Sequence, residues 1–208
     1  MTDEITTRAR IRLEAAALFR NKGFNGTSMA DLATEVGISK SSLYHHFSSK
    51  QALLSEIIEL TVNRVTPVVS EVAESDLPIA ERVRTAIALH TVAAIRDRDA
   101  IACFIEEGRY LSPDFMTTHI ANRDRYERIF RDMLKEGIAT GDFVEQDVGI
   151  AAKAILGMCN SVVRWYQPSG RYSPEEIAAE IAEFVVRGAS PAPTLGLTRE
   201  EQVHARST

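Results

Sequence analysis

The sequence predicts an all-α protein, with a three-helix helix-turn-helix head at the N-terminus, a larger helical body behind it, and about nine helices in total. Two observations carry that reading. Apolar residues recur at helical spacing along almost the whole chain, with almost no strand-type alternation. Start signals (serine, threonine or aspartate ahead of a periodic run, proline at the first helical position) and glycine stops divide that run into separate helices. Hydrophobic residues make up 45% of the 208, ample for a packed core.

The first helix is expected over about 6–22, with Ile11, Ala15, Ala16 and Phe19 on one face and Gly23 as its stop. A short helix follows, opened by Thr27 or Ser28; Ser28 with Asp31 has the capping-box pattern, and Gly37 ends the helix. Ser39 caps the third helix, which ends near Phe47. Ser48, three residues before Gln51, is expected to open a long fourth helix. Pro67 must kink or end it, because proline removes a backbone donor and clashes with the preceding turn. Asp76-Leu77-Pro78 begins a segment reaching about Ile95, and 100–110 reads as a further helix. Ser112-Pro113 pairs an N-cap with a first-turn proline for a helix running through Met133 to about Ala139, with Gly141 turning the chain. Asp147 opens the next, which reaches Tyr166 before Pro168 and Gly170. Ser173-Pro174-Glu175-Glu176 combines capping box and first-turn proline for the last, ending at Gly188. The expected division is a head over 1–50, a body over 51–188 and a mobile tail over 189–208.

The formal net charge of −5 is unevenly spread. Residues 1–50 carry seven basic and five acidic side chains, so the remaining residues hold seventeen against twenty-four. A mildly basic head on an acidic body is the asymmetry expected where one segment meets phosphates. No run of 18 apolar residues spans a membrane, and the acidic start lacks a signal-peptide pattern. Cys103 and Cys159 lie far apart, with neither a disulfide framework nor zinc spacing, so the cytoplasm is the expected compartment. His90, His119 and His204 are scattered. No nucleophile motif, glycine-rich phosphate loop or metal-ligand spacing is present, so no enzymatic activity, catalytic residue or cofactor is expected.

Two short helices joined through Gly37 have the layout of a DNA-reading helix-turn-helix. Ala33 is small where the helices cross, and Leu32, Val36, Ile38 and Leu43 form the buried side. The other face of the second helix carries Lys40, Ser41, Ser42, Tyr44, His45 and His46, groups able to reach base edges from a major groove.

The stretch Ile11-x-x-x-Ala15-Ala16-x-x-Phe19-x-x-x-Gly23-Phe24 leads into Thr27-Ser28-Met29-x-x-Leu32-Ala33-x-x-x-Gly37-Ile38-Ser39. With Ser42-Leu43-Tyr44-x-His46-Phe47-x-x-Lys50-x-x-Leu53-Leu54, it resembles, without a gap, the DNA-binding domain of the tetracycline-repressor (TetR) family. The resemblance implies that Thr27 or Ser28, Tyr44, His46 and Lys50 contact phosphates. Lys40, Ser41, Ser42 and His45 would face the groove, with Ser39 as cap. Tyr44 with only its hydroxyl outside, His46 packed between helices, and Lys50 as an ordinary solvated lysine are the alternatives. Lys50 at a helix start opposes the local dipole, which favours an anionic partner.

The helix over 147–166 is apolar nearly all round, so one side is expected to face its own core and the other a second subunit. With the last helix it would form a four-helix dimer interface through Ile155, Val162, Ile177, Ile181, Phe184 and Val185; a wholly intramolecular core is the alternative. A dimer would hold two recognition helices about 34–36 Å apart, the spacing of two half-sites of a palindrome in double-stranded DNA. Phe104, Tyr110, Phe115, Met116, Tyr126, Phe130, Cys159 and Tyr166 are core by default. The family resemblance implies a small-molecule pocket among them, with Arg109, His119 and Asn160 as its polar groups. Residues 160–170, with Arg123-Asp124-x-Tyr126-Glu127, resemble the branch of the family that controls fatty-acid and steroid degradation, several members of which respond to acyl-CoA thioesters. The expected function is a dimeric, ligand-released repressor, with a DNA-binding activator or architectural protein as the alternative.

Overall fold

The computed structural model describes residues 6–107 and 112–192, without the side chains of 103, 104, 106 and 107. The described residues form helices and no strand: α1 (Thr7–Lys22), α2 (Met29–Val36), α3 (Lys40–His46), α4 (Lys50–Ala73), α5 (Ile79–Arg96), α6 (Arg98–Glu107), α7 (Pro113–Thr140), α8 (Val148–Trp165) and α9 (Pro174–Ala189). The expected tail lies, beyond residue 192, outside the described residues.

Local capping explains most boundaries. Ser28 and Ser173 each accept a backbone N–H three residues on while the acidic partner, Asp31 or Glu176, accepts the cap's own N–H. Both capping boxes lie where the sequence puts them. Ser39, Ser112 and Asp147 cap α3, α7 and α8 in the same one-sided way. Gly37 closes α2 at φ 73°, in the left-handed region that glycine tolerates, and Gly141 does so after α7 at φ 82°.

Two expectations need correction. The cap of α4 is Ser49, whose side chain accepts from the Ala52 N–H; Ser48 lies one residue too early. Pro67 does not end α4, which continues to Ala73. Pro67 and Asn63, the residue whose carbonyl loses its helical donor, are both exposed, so water can replace the missing bond.

The head packs Ile11, Ala15, Phe19 and Phe24 against Leu32, Val36 and Leu43. Its core continues through Leu53, Leu54, Ile57 and Ile58 of α4 and takes in Ala100 of α6 and Phe115 of α7. In the body, α5 is the central helix: Val83, Ala86 and Ile87 are buried among Phe130 and Met133 of α7, Ala152 and Ile155 of α8 and Ala182 and Val186 of α9. A third cluster joins Ala94, Ile95 and Ala102 to Val162 and Val163.

Gly137 tests the packing of the α7–α8 turn. A β-carbon there would lie 2.1 Å from Cδ2 of Phe143, whose ring is buried. Gly137→Ala therefore forces a core ring aside and should lower stability by about 1–3 kcal/mol, the usual cost of overpacking. Urea denaturation gives the answer, and an unchanged midpoint would show that the ring can move freely.

Candidate functional site

The exposed face of α3 is the first candidate site. Lys40, Ser41, Tyr44 and His45 are exposed, while Ser42 and His46 are half-buried and Leu43 is buried beneath them. Ser39 is committed to capping: its Oγ accepts from the Ser42 N–H at 3.1 Å and pairs with the Ser41 hydroxyl at 2.9 Å. Tyr44 is 47% exposed, so its ring as well as its hydroxyl is outside the core. At the other end of α3, Arg8 donates to the His46 carbonyl at 2.8 Å, lies 4.3 Å over the Phe47 ring and pairs with Glu56 of α4. Arg12 holds the same carboxylate at 2.8 Å. The Arg8 hydrogen bond is the first reason the Glu56 carboxyl sits below its ordinary range. This network, absent from the sequence reading, fixes the recognition helix against α1 and α4. Its only sequence signal was the arginine spacing in α1.

Two residues expected to contact phosphates are placed differently. Thr27 is 1% exposed, and its hydroxyl donates to the Gly23 carbonyl at 2.9 Å. Ser28 keeps the exposed position at the start of α2. The ammonium of Lys50 donates to the Phe24 and Thr27 carbonyls, the latter at 2.7 Å, and lies 4.3 Å over the Phe24 ring. The local dipole is thus offset by protein carbonyls, and Lys50 ties α4 to the loop that carries Ser28.

The second candidate site is a cavity of about 340 Å³ in the body. Its walls are Ile58, Thr61, Val62 and Val65 of α4, His90, Ala93 and Ala94 of α5, and Ala100 and Ile101 of α6. His119, Arg123, Tyr126 and Glu127 of α7 and Lys153, Leu156 and Asn160 of α8 complete it. Arg123 and Lys153 are exposed and stand at its opening. Glu127 is buried, its carboxylate held by Arg131 at 2.9 Å, and Arg123 lies 3.3 Å from the exposed Asp124, so Lys153 is the cation in excess at the mouth.

Of the expected pocket residues, His119, Tyr126 and Asn160 line this cavity. Phe130 and Cys159 are buried in the body core instead, and burial pushes the Cys159 thiol up to about 11. Phe115 and Met116 pack toward the head, Phe115 stacking on His119 at 5.7 Å between ring centres. Tyr166 packs on the third cluster. Arg109 and Tyr110 lie outside the described residues, as does the side chain of Phe104. His90, Arg123, Glu127 and Lys153 were missed as pocket residues; a histidine inside the apolar run Ile87-Ala88-Leu89 was the available signal for the first.

His90 carries the polar chemistry of the cavity wall. Its Nδ1 meets the Tyr126 hydroxyl at 2.9 Å and its Nε2 meets Asn160 Oδ1 at 3.2 Å. Burial lowers its pKa to about 4, and burial likewise keeps the Tyr126 phenol protonated. His119 is also lowered, first by burial and then by Arg123.

Helices α8 and α9 leave an apolar face uncovered. Ile150 is 70%, Trp165 52% and Phe184 69% exposed, with exposed Ala154, Gly157 and Ser161 between the first two. Ile155, Val162 and Val185, expected at a dimer contact, instead point into the subunit's own core. Ile177 and Ile181 are half-buried against it, and only Phe184 of the six is fully turned outward. A helix apolar all round does not reveal by composition which side faces inward.

The low pKa of His90 sets a pH dependence of stability. The unfolded imidazole protonates near 6.5 and the folded one near 4, so the unfolded state binds more protons between these values. Stability is complete above 6.5 and falls as pH drops through that window. Between pH 7.5 and 5 this group should cost the wild type about 2 kcal/mol that His90→Gln does not lose. Urea unfolding at the two pH values measures it; equal losses in both proteins would mean that His90 is not held neutral.

Comparison with known proteins places these two sites in a familiar frame. Residues 11–57 match the model of bacterial regulatory proteins of the tetR family, and residues 76–189 match a tetracyclin repressor-like C-terminal domain. The HTH-type transcriptional repressor KstR2 of Mycolicibacterium smegmatis is 28% identical over 178 residues, covering 84% of this chain and 86% of its own. The TetR family transcriptional regulator PfmR from Thermus thermophilus superposes with TM-score 0.81 at 35% identity, over 90% of this chain and 99% of that one. AibR, solved in complex with isovaleryl coenzyme A and operator DNA, shares the fold with TM-score 0.76 at 23% identity, over 86% and 97%. With helix-turn-helix head and C-terminal body both matched, the chain belongs to the TetR family of bacterial transcriptional regulators.

Proposed function

We propose that this protein is a homodimeric repressor, acting in the cytoplasm, that binds palindromic operator DNA and is released by a mostly apolar, anionic-headed molecule, an acyl-CoA thioester. The observation that carries the reading is the course of α4. Its first turns belong to the head core at Leu53, Leu54 and Ile57, and the next turns, Ile58 to Val65, form one wall of the cavity. A molecule in the cavity therefore touches the helix on which the DNA-reading head is built. The mouth, with Lys153 as its cation in excess, suits phosphate groups, and the apolar walls suit an acyl chain. The named repressor relative, and the neighbour solved with a coenzyme A thioester and operator, support the same reading.

On DNA, Lys40, Ser41, Ser42 and His45 read the major groove, and Ser28, Tyr44 and His46 hold phosphates. Thr27 and Lys50 act from behind by shaping the α1–α2 loop. The α8–α9 face, centred on Phe184 with Ile150 and Trp165, meets its counterpart in a second subunit. Release follows from linkage: a ligand that favours the DNA-free form by about 3 kcal/mol weakens operator binding over a hundredfold.

The decisive measurement is fluorescence anisotropy on an operator recovered by selection from random DNA, titrated with a series of acyl-CoA thioesters. Saturating thioester should raise the operator dissociation constant; no change with any chain length would overturn the inducer assignment. Lys40→Ala should alter base preference at constant salt slope. Lys50→Ala should lower head stability while leaving the salt slope unchanged; a slope reduced by about one unit would return Lys50 to the phosphates. Phe184→Glu should sediment as a folded monomer where the wild type is a dimer, with operator affinity down by at least tenfold. A dimeric Phe184→Glu protein would move the interface elsewhere.

A further inference from the structure

The inner wall of the cavity is not uniformly apolar. His90, Tyr126 and Asn160 come from three helices and form one continuous hydrogen-bonded row along it. A neutral imidazole has one N–H, so the row has two self-consistent settings. In the first, Tyr126 donates to Nδ1 and Nε2–H donates to Asn160 Oδ1. The Asn160 amide N–H groups then face outward from the row, and among the described residues they have no acceptor. In the second, the carboxamide is turned over and donates to Nε2, Nδ1–H donates to the tyrosine oxygen, and Asn160 Oδ1 and the Tyr126 O–H are left to the cavity. Either setting ends in an unspent donor and an unspent acceptor in a cavity whose lining also includes the apolar Val62, Val65, Ala93 and Leu156.

We propose that this row reads a neutral oxygen, a carbonyl or hydroxyl, carried on the apolar body of the cavity's ligand. The proposal rests on the cavity being the ligand site, as argued above, and adds what the ligand must present inside it. A plain hydrocarbon segment would cover the Asn160 amide and leave buried N–H groups unpaired, which disfavours it relative to a chain or ring bearing oxygen there. A carboxylate is the wrong partner at this depth, because all three groups of the row are neutral and the cations stand at the opening. The row thus discriminates by oxygen chemistry, whereas the apolar walls discriminate weakly by size.

Cyclooctane, cyclooctanone and cyclooctanol offer one ring with no oxygen, a carbonyl or a hydroxyl, and headspace partition over the protein measures all three. Asn160→Leu should weaken the ketone about tenfold or more relative to the hydrocarbon. Asn160→Asp at pH 8 preserves the shape, keeps an acceptor and removes the donor, so it should lose the ketone while retaining the alcohol. That swap is not expected from a merely loosened fold. A ketone-to-hydrocarbon ratio unchanged in both variants, or a wild type that takes the ketone no better than Asn160→Leu does, overturns the proposal alone. Failure of all three probes to bind the wild type overturns the cavity assignment together with it. Selective ketone binding combined with operator affinity that no acyl-CoA alters would sink the inducer reading and leave the oxygen-reading row in place.

Discussion

Everything in this molecule depends on one helix belonging to two cores. Leu53, Leu54, Ile57 and Ile58 of α4 complete the head, and Val69 of the same helix is buried in the body. Burying each such side chain contributes about 1.5–3 kcal/mol, so the shared packing is the dominant tie between the two parts. Ion pairs add to it: Arg20 of α1 pairs with Asp99 of α6, and Arg64 of α4 with Asp97 between α5 and α6. Half-exposed pairs of this kind contribute roughly 0–1 kcal/mol each, and salt screens them. They orient α1 and α4 against the α5–α6 elbow more than they hold them there.

The head illustrates why that tie matters. Helices of eight and seven residues are too short to persist alone, since helix nucleation is costly and few hydrogen bonds follow it. Caps at Ser28 and Ser39 satisfy their first N–H groups, Gly37 their turn, and Arg8 the last carbonyl of α3. The rest comes from Leu32, Val36 and Leu43 against α1 and α4. The recognition face is therefore only as well placed as α4 allows, and a displacement of α4 reaches it through Glu56 and Arg8 as well as through the core.

What the sequence disclosed follows the range of the forces involved. Caps, first-turn prolines and stop glycines act within four residues, so the helix boundaries at Ser28, Gly37, Ser112, Asp147 and Ser173 were legible. The head was legible too, because its core contacts recur at fixed helical spacing. Ser48 against Ser49 shows the limit, since two adjacent serines offer the same chemistry and only the entry angle of the chain decides. The cavity was barely legible: His90, Tyr126 and Asn160 are separated by 36 and 34 residues, and no local pattern announces that three helices bring them together. Which side of α8 turns inward was illegible for a related reason, because Ile155 and Val162, which pack against α5, are of the same apolar type as the exposed Ile150.

The cavity walls also differ in how readily they can yield. At about 340 Å³ the space is near the lower end for small-molecule sites, so a larger ligand must displace one wall. The α5 wall cannot retreat, because no residue of that helix from 82 to 95 is exposed, and Val83, Ala86 and Ile87, which continue its cavity face, are packed among three other helices at crystal-like density. The α4 wall has no such backing: Asn63, Arg64, Pro67 and Val68 on its outer side are exposed. Proline at 67 further removes one rung of the backbone ladder immediately beyond Val65. The softest boundary of the cavity is thus the helix that carries the head at its other end, which makes displacement of the recognition face the least costly way to accommodate a ligand.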